Sequence, residues 1–286
     1  MEKRLVTETL NATLHILQAC VRSFTVGQLI QFSTADAIFA TPRDDQVLPM
    51  GHPHFVFTSA DWADPIKLRE RGAKGYHILG MMQAERLSLD YMHKYGGGIS
   101  FSTLCTGQVM GGLIECQTRM DSFLRDEVLP MMSGSAKYVP RGLVPLAHIT
   151  DVCHAAMFIM EKDLSGRFLC MQECIEWAAL ADIFRQVLPE CGEFEVSHSP
   201  RHPGNVKHLA SNVPTTVDPK GEDPLRIKFT CDRLTNQGYQ FKFGVTQMVR
   251  DFAGSVLEMG LVGDGDVKLM CKGMTETVDV DTSILA

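Results

Sequence analysis

Tyr76 has the residue type and the setting of a catalytic proton donor. It lies in GYHILGMMQAERL, residues 75–87, where an apolar helical pattern and Glu85 follow it. A tyrosine hydroxyl gives up its proton more readily when a nearby ammonium group lowers its pKa. A lysine four residues later lies one helical turn along and supplies that charge. Here that position is Gly80, so the stretch predicts a helix with the donor but without its cation.

The elements around this stretch alternate between helix and strand. Hydrophobic periodicity predicts helices over residues 2–23, 76–94, 151–163, 175–189 and 246–260, and short apolar strands over 27–34, 99–107 and 166–170. Residues 40–75 are rich in proline and lack periodicity, which favours a long connecting loop. The alternation indicates an α/β fold with a parallel sheet.

Composition limits the class of protein. A net charge of -7 without a run of Lys or Arg excludes an electrostatic nucleic-acid surface. The nine cysteines are scattered through apolar segments, as expected of free thiols in a reducing compartment, and the Cys170/Cys174 pair lacks the partners of a metal site. The chain shows neither an apolar span of membrane length nor a secretory signal. We therefore expect a cytoplasmic protein with no metal and no membrane span.

A glycine-rich phosphate turn is missing from the printed sequence. A doubly wound domain binds a dinucleotide where a strand runs through such a turn into a helix. Neither G-x-G-x-x-G nor G-x-x-G-x-x-G occurs, and GQVMGG at 107–112 has the wrong spacing. The sequence therefore predicts no pyrophosphate cradle.

Five segments nevertheless carry a family likeness, and they come in that family's order. They are LNATLHILQACVRSFTVGQLIQFSTADAIF (10–39), DWADP (61–65), STLCTG (102–107), VPLAHITDVCHAAMFIMEKDLSGRFLC (144–170) and LRIKFTCDRLTNQGYQFKFGVTQMVRDFAGSVLEMGLV (225–262). Together they resemble the plant dihydroflavonol reductase and anthocyanidin reductase branch of the extended short-chain dehydrogenases. The likeness runs from residue 2 to about residue 262.

This resemblance implies an NADPH-dependent reductase of flavonoid ketones that uses a Ser-Tyr-Lys constellation. It places Thr34 at the catalytic serine, Tyr76 at the tyrosine and Gly80 at the lysine. It also implies cofactor contacts for three further hydroxyl residues: Ser33, Ser102 and Thr103. Two other interpretations stay open. The hydroxyls of Ser33 and Thr34 could cap a turn at the end of the strand, and Tyr76 could pack on the sheet at the start of its helix without a catalytic role.

The resemblance also implies a chain truncated at its N-terminus, because the family has about a hundred more residues before its fourth helix. The expected fold is an incomplete doubly wound, Rossmann-like sheet that lacks its first strands and continues into a C-terminal substrate-binding α/β region. We expect the rest of the Rossmann-like domain at 1–108, a mixed Rossmann and substrate-binding region at 109–262, and a mobile acidic tail at 263–286. Loss of strands exposes a sheet edge, through which the chain would associate with itself or with an intact relative.

Three explanations of the chain follow from these features. The first is a flavonoid-type reductase that is catalytically impaired, because the glycine-rich turn and the active-site lysine are absent. The second is a non-catalytic protein that binds a flavonoid-like small molecule or pairs with a reductase. The third is an incomplete gene product.

Overall fold

The first half of the chain alternates between helices and strands, as the sequence predicts. The computed structural model describes residues 2–39, 55–113, 122–191, 211, 213–218 and 227–259. Its first elements are α1 (Glu2–Ser23), β1 (Gln28–Thr34), α2 (Asp36–Phe39), β2 (Phe55–Phe57), α3 (Pro65–Glu70), α4 (Gly72–Tyr95), β3 (Ser100–Thr106) and β4 (Gln108–Met110).

The second half adds a π-helical turn at Phe123–Val128 and a larger helical layer. Its elements are α5 (Leu129–Ser133), β5 (Leu143–His148), α6 (Ile149–Glu161), β6 (Gly166–Cys170), β7 (Glu173–Glu176), α7 (Trp177–Cys191), β8 (Ile227–Phe229), α8 (Asp232–Thr235) and α9 (Val245–Glu258). The predicted helices and strands are confirmed to within a few residues at each end. Pro189 lies inside the last turn of α7, which ends two residues later at Cys191; its missing N–H removes one hydrogen bond there.

The predicted loop at 40–75 is wrong in its second half. It contains β2 and α3, and α4 already begins at Gly72. Pro65 is at the start of α3, where its fixed φ favours a helix, and the Asp64 carboxylate caps that helix by accepting from the N–H of Ile66 at 2.7 Å. Residues 40–54 and the predicted tail lie outside the described residues.

Parallel pairing dominates the sheets, which confirms the α/β class. The central sheet has the order β1-β3-β6, and all of its pairs are parallel. A second sheet has the order β4-β5-β7, in which β5 and β7 run antiparallel, and β2 pairs with β8. Because β6 joins β1 and β3, the central sheet takes strands from both sides of the expected boundary at residue 108.

Helices cover both faces of the central sheet. On one face α1 and α4 pack together, and Leu17, Met92 and Phe101 form a buried cluster there. On the other face α6 packs through Val152, Ala155 and Ile159. A larger apolar core lies between α7, α9 and the second sheet. Within the described ranges, every helix is too short or too polar to cross a bilayer.

Asp151 fastens α6 to the segment that leads into α9. It is fully buried, and its carboxylate accepts hydrogen bonds from the backbone N–H groups of Lys242 and Phe243 at 3.1 Å each. Its backbone carbonyl accepts from the Tyr239 hydroxyl at 2.6 Å. A single carboxylate therefore satisfies two backbone donors far along the chain.

We expect Asp151→Ala to lower the free energy of unfolding by about 2–4 kcal/mol, because it removes the acceptor of two backbone N–H groups from a buried site. Tyr239→Phe, which removes a single hydrogen bond, should cost about 1 kcal/mol. Urea denaturation of both variants measures the difference. Equal losses for the two variants would contradict the role of the carboxylate.

Candidate functional site

Thr34 lies where β1 ends, at the carboxyl edge of the central sheet. Its Cα is paired with that of Thr106 on β3. The Thr34 hydroxyl oxygen accepts a hydrogen bond from the N–H of Asp36 at 3.1 Å, which caps the turn into α2. The hydroxyl proton stays available, so the cap does not prevent Thr34 from donating to a ligand at this edge.

Ser33 and Thr103 point into the interior and converge on Glu85 of α4. The Ser33 hydroxyl donates to Glu85 Oε2 at 2.9 Å, and the Thr103 hydroxyl donates to Oε1 at 2.9 Å. The Cys105 thiol adds a contact to Oε1 at 3.3 Å. Glu85 itself is fully buried. The two hydroxyls expected at the cofactor are therefore bonded to a carboxylate between the sheet and α4.

Arg167 of β6 completes this cluster by pairing with Glu85. Its Nε donates to Glu85 Oε1 at 2.6 Å, and Nη2 donates to Oε2 at 3.3 Å. The other terminal nitrogen donates to the carbonyls of Ser59 and Asp61, and the guanidinium lies 3.6 Å from the centre of the Trp62 ring. One arginine thus fixes the DWADP segment against both the sheet and α4.

Burial has a direct effect on the Cys105 thiol in this cluster. Desolvation, reinforced by the Glu85 charge, raises its pKa far above the ordinary thiol value. A thiol held in this way is protonated at neutral pH and is a poor nucleophile. Ser102, the third hydroxyl expected at the cofactor, is also buried and donates to the carbonyl of Leu164 at 2.5 Å.

Tyr76 and Gly80 lie on a different side of α4 from Glu85. Nine residues of a regular α-helix correspond to a rotation of about 180°, so Tyr76 points away from the Glu85 side. Gly80 faces α1, since a Cβ added there would lie 3.5 Å from Thr9 Oγ1 and 3.6 Å from the Cα of Val6. Tyr76 is half-buried and, like Val6 and Trp62, packs against a buried apolar cluster that includes Ala37 and Leu68.

A charged group borders the carboxyl edge beside Thr34. The Asp36 carboxylate accepts from the Gln108 side-chain amide at 3.3 Å, and the Lys74 ammonium pairs with Glu127 at 3.3 Å. Burial raises the pKa of the Asp36 carboxyl, although the positive charges of Lys74 and Arg71 partly oppose the shift. The carboxyl edge thus carries the Asp36 carboxyl, whose pKa is raised, and the exposed ion pair between Lys74 and Glu127.

Several of these residues escaped the sequence analysis. Arg167 stands in an apolar strand, and only the fold reveals its partner, which is 82 residues away. Asp36 lies two residues after Thr34, so its position just beyond a predicted strand was a usable signal. The stretch 110–132 is described only in part, and there Met110, Phe123 and Met131 fill the core. No group of metal-ligand type with three members occurs within the described ranges.

Comparisons with known proteins agree with this architecture. No family model matches the chain. A dihydroflavonol 4-reductase of Arabidopsis thaliana is 23% identical over 249 residues, which cover 86% of this chain and 56% of the relative. An anthocyanidin reductase of Vitis vinifera, described as (2S)-flavan-3-ol-forming, is 24% identical and is covered to 66%. The chain thus spans 56% of the length of the first relative and 66% of the length of the second.

Solved structures show the same fold. Vestitone reductase from alfalfa (Medicago sativa) matches with a TM-score of 0.65 at 20% identity, over 91% of this chain and 74% of that one. Yeast methylglyoxal/isovaleraldehyde reductase Gre2, in complex with NADPH, matches with a TM-score of 0.67 at 13% identity, over 88% and 70%. The chain therefore has the extended short-chain dehydrogenase/reductase fold. Its curated relatives within that fold include dihydroflavonol and anthocyanidin reductases.

Removing Arg167 alone should destabilise the protein strongly. In Arg167→Met the Glu85 carboxylate stays buried without its cation, which costs about 3–5 kcal/mol of unfolding free energy. The double variant Glu85→Leu/Arg167→Met leaves no buried charge, so we expect it to be more stable than Arg167→Met. Urea denaturation of the three proteins tests this, and a double variant less stable than Arg167→Met would contradict the pairing.

Asp36 should make stability depend on pH. Because its pKa is raised above the ordinary value of 3.8, the folded state holds the proton more tightly than the unfolded chain. Its contribution to the free energy of unfolding therefore falls as the pH rises through and above that value. We expect Asp36→Asn to be stabilised relative to the unmodified protein at pH 7, and the gain to shrink towards about pH 4. A gain that grows on acidification would contradict the shift.

Proposed function

We propose that this chain is a reductase-type protein, related to dihydroflavonol and anthocyanidin reductases, that carries out little or no hydride transfer. The orientation of α4 carries the proposal. With Glu85 hydrogen-bonded to the sheet, Tyr76 packs against the apolar cluster around Ala37 and Leu68, and the position of the absent lysine faces α1. Thr34, the remaining member of the expected set, lies beside Asp36 at the carboxyl edge.

Two observations support our proposal that this chain binds NADPH weakly or not at all. Ser33, Ser102 and Thr103 are buried, and each hydroxyl donates to a protein acceptor, so none is free for a nicotinamide or its ribose. The printed sequence has no glycine-rich turn for the pyrophosphate. Both observations support weak or absent NADPH binding by this chain.

A flavonoid-like molecule is the ligand class that we propose for the carboxyl edge. The names of the relatives motivate this class, and the hydroxyl of Thr34 and the carboxyl of Asp36 offer hydrogen bonds to a polyphenol there. We also propose a cytoplasmic location, which the free thiols at Cys105, Cys170 and Cys231 support.

NADPH titration of the purified chain, followed by nicotinamide fluorescence and calorimetry, tests the proposal. We expect no saturable binding up to millimolar cofactor, and no turnover of dihydroflavonols or anthocyanidins. Tyr76→Phe is the matched control, because it removes the hydroxyl but keeps the ring. Turnover that disappears in Tyr76→Phe would establish a working proton donor and overturn the proposal.

Restoring a lysine at residue 80 should not restore activity. The side chain of Gly80→Lys would have to enter the contact between α1 and α4, which we expect to cost about 1–3 kcal/mol. Gly80→Ala is the control: its Cβ meets neighbours at ordinary contact distances, and alanine favours the helix by up to about 1 kcal/mol. Thermal melts and NADPH assays of both variants measure this. Gain of turnover in Gly80→Lys would show that residue 80 reaches the cofactor side.

A further inference from the structure

An open cavity of about 330 Å³ lies between α6 and the segment that follows α8. One wall is a stripe of α6 from His154 to Glu161, because residues three, four and seven apart lie on the same face of a helix. The other wall comes from residues 238–242. The described residues that line the cavity do not include those of the carboxyl edge, Thr34 and Asp36, so this is a second and separate place on the molecule.

The two walls run in opposite directions, which determines where each group lies along the cavity. The backbone N–H of Lys242 donates to the carboxylate of Asp151, in the first turn of α6, at 3.1 Å. The ring of Tyr239 lies edge-on to Phe158, about two turns further along α6, with the ring centres 5.5 Å apart. Lys242 therefore lies towards the start of α6, and Glu161 lies at its end.

The middle of the cavity is apolar. Met157 and Phe158 of α6 line it together with Tyr239. The Tyr239 hydroxyl is already bonded to the carbonyl of Asp151 at 2.6 Å, so Tyr239 offers the cavity its ring and not a polar group. Aromatic rings and a methionine sulfur make favourable contacts with another aromatic ring. The middle of the cavity therefore suits a flat, aromatic molecule.

The two ends of the cavity carry opposite charges. Neither the Lys242 ammonium nor the Glu161 carboxylate forms an ion pair within the ranges that the structure describes. His154 keeps its Nδ1 buried without a hydrogen-bond partner there. A buried N–H without an acceptor is costly, so the neutral ring carries its proton on Nε2 and offers a donor near Lys242. Because an α-helix rises about 1.5 Å per residue, the positions of His154 and Glu161 are about 10 Å apart.

We propose that this cavity binds an aromatic carboxylic acid that carries a hydrogen-bond donor at its far end. The carboxylate accepts hydrogen bonds from the Lys242 ammonium and from His154 Nε2–H. The ring occupies the apolar middle between Phe158 and Tyr239. The far donor, a hydroxyl in the simplest case, binds the Glu161 carboxylate. An ionised carboxylate only accepts hydrogen bonds and repels a second anion, so this end selects against a dicarboxylate.

Calorimetric titration of the full chain with 4-hydroxycinnamate tests the proposal, since this rigid acid has its carboxylate and its hydroxyl at opposite ends. We expect saturable binding with a Kd below about 1 mM. Lys242→Gln should weaken binding about fivefold or more, because it removes the ammonium but keeps the backbone N–H that binds Asp151. Lys162→Gln is the matched control: it removes the same charge from an exposed lysine that does not line the cavity, and it should leave the Kd unchanged.

The Glu161 end is tested by combining a change of ligand with a change of residue. Cinnamate lacks the hydroxyl and should bind the unmodified protein about fivefold more weakly than 4-hydroxycinnamate. The two acids should bind Glu161→Ala equally, because the acceptor of the hydroxyl is gone. The comparison of the two acids on the unmodified protein does not depend on how well any variant folds.

Four results would overturn the proposal. They are no saturable binding of 4-hydroxycinnamate, the same Kd for Lys242→Gln as for the unmodified protein, an equal loss in Lys162→Gln, and a preference for the hydroxylated acid that persists in Glu161→Ala. Asp36→Asn should bind the acid unchanged. Binding that is lost in Asp36→Asn would place the acid at the carboxyl edge instead, and would equally contradict a site on α6.

Discussion

The buried pair between Glu85 and Arg167 fixes the positions of the other parts of the central sheet. Taking two charges out of water is costly, and the cost is offset only when the geometry is close and the remaining acceptor sites are filled. Here the carboxylate receives two guanidinium N–H bonds and the hydroxyls of Ser33 and Thr103. Each partner comes from a different element, so this one cluster aligns β1, β3, β6 and α4.

The same cluster determines which side of α4 faces the sheet, and hence where chemistry can occur. Only one face of a helix can pack against the sheet. In α4 that face includes Glu85, which is hydrogen-bonded to Ser33 and Thr103. Tyr76, nine residues earlier, is carried to the other side, and Gly80 becomes a close-packing position against Thr9 of α1. A Cβ at residue 80 would meet α1 at ordinary contact distances, so this contact admits alanine as well as glycine, while a long side chain would have to enter the space between the two helices.

The sequence allowed most of the fold to be predicted, because periodicity and family-like segments are local signals. α3 escaped because proline was taken as a sign of a loop, although Pro65 after Asp64 is a helix start. The interior cluster escaped for another reason. Ser33, Glu85, Thr103 and Arg167 are separated by up to about 130 residues, and only strand order brings them together. The sequence alone does not distinguish a Ser33 hydroxyl that faces a cofactor from one that is hydrogen-bonded to a buried carboxylate.

The alternation of β1 separates these two roles along a single strand. Its residues Leu29, Gln31 and Ser33 point their side chains towards the α1 and α4 face, where Ser33 is bonded to Glu85. The neighbouring residues Ile30 and Phe32 point the other way and direct their backbone groups to the outer edge. One strand therefore holds the Ser33 hydroxyl in the core, while Phe32, on the opposite face of the sheet, is about half exposed. Alternation along β1, and not residue type, decides which of its side chains a ligand could reach.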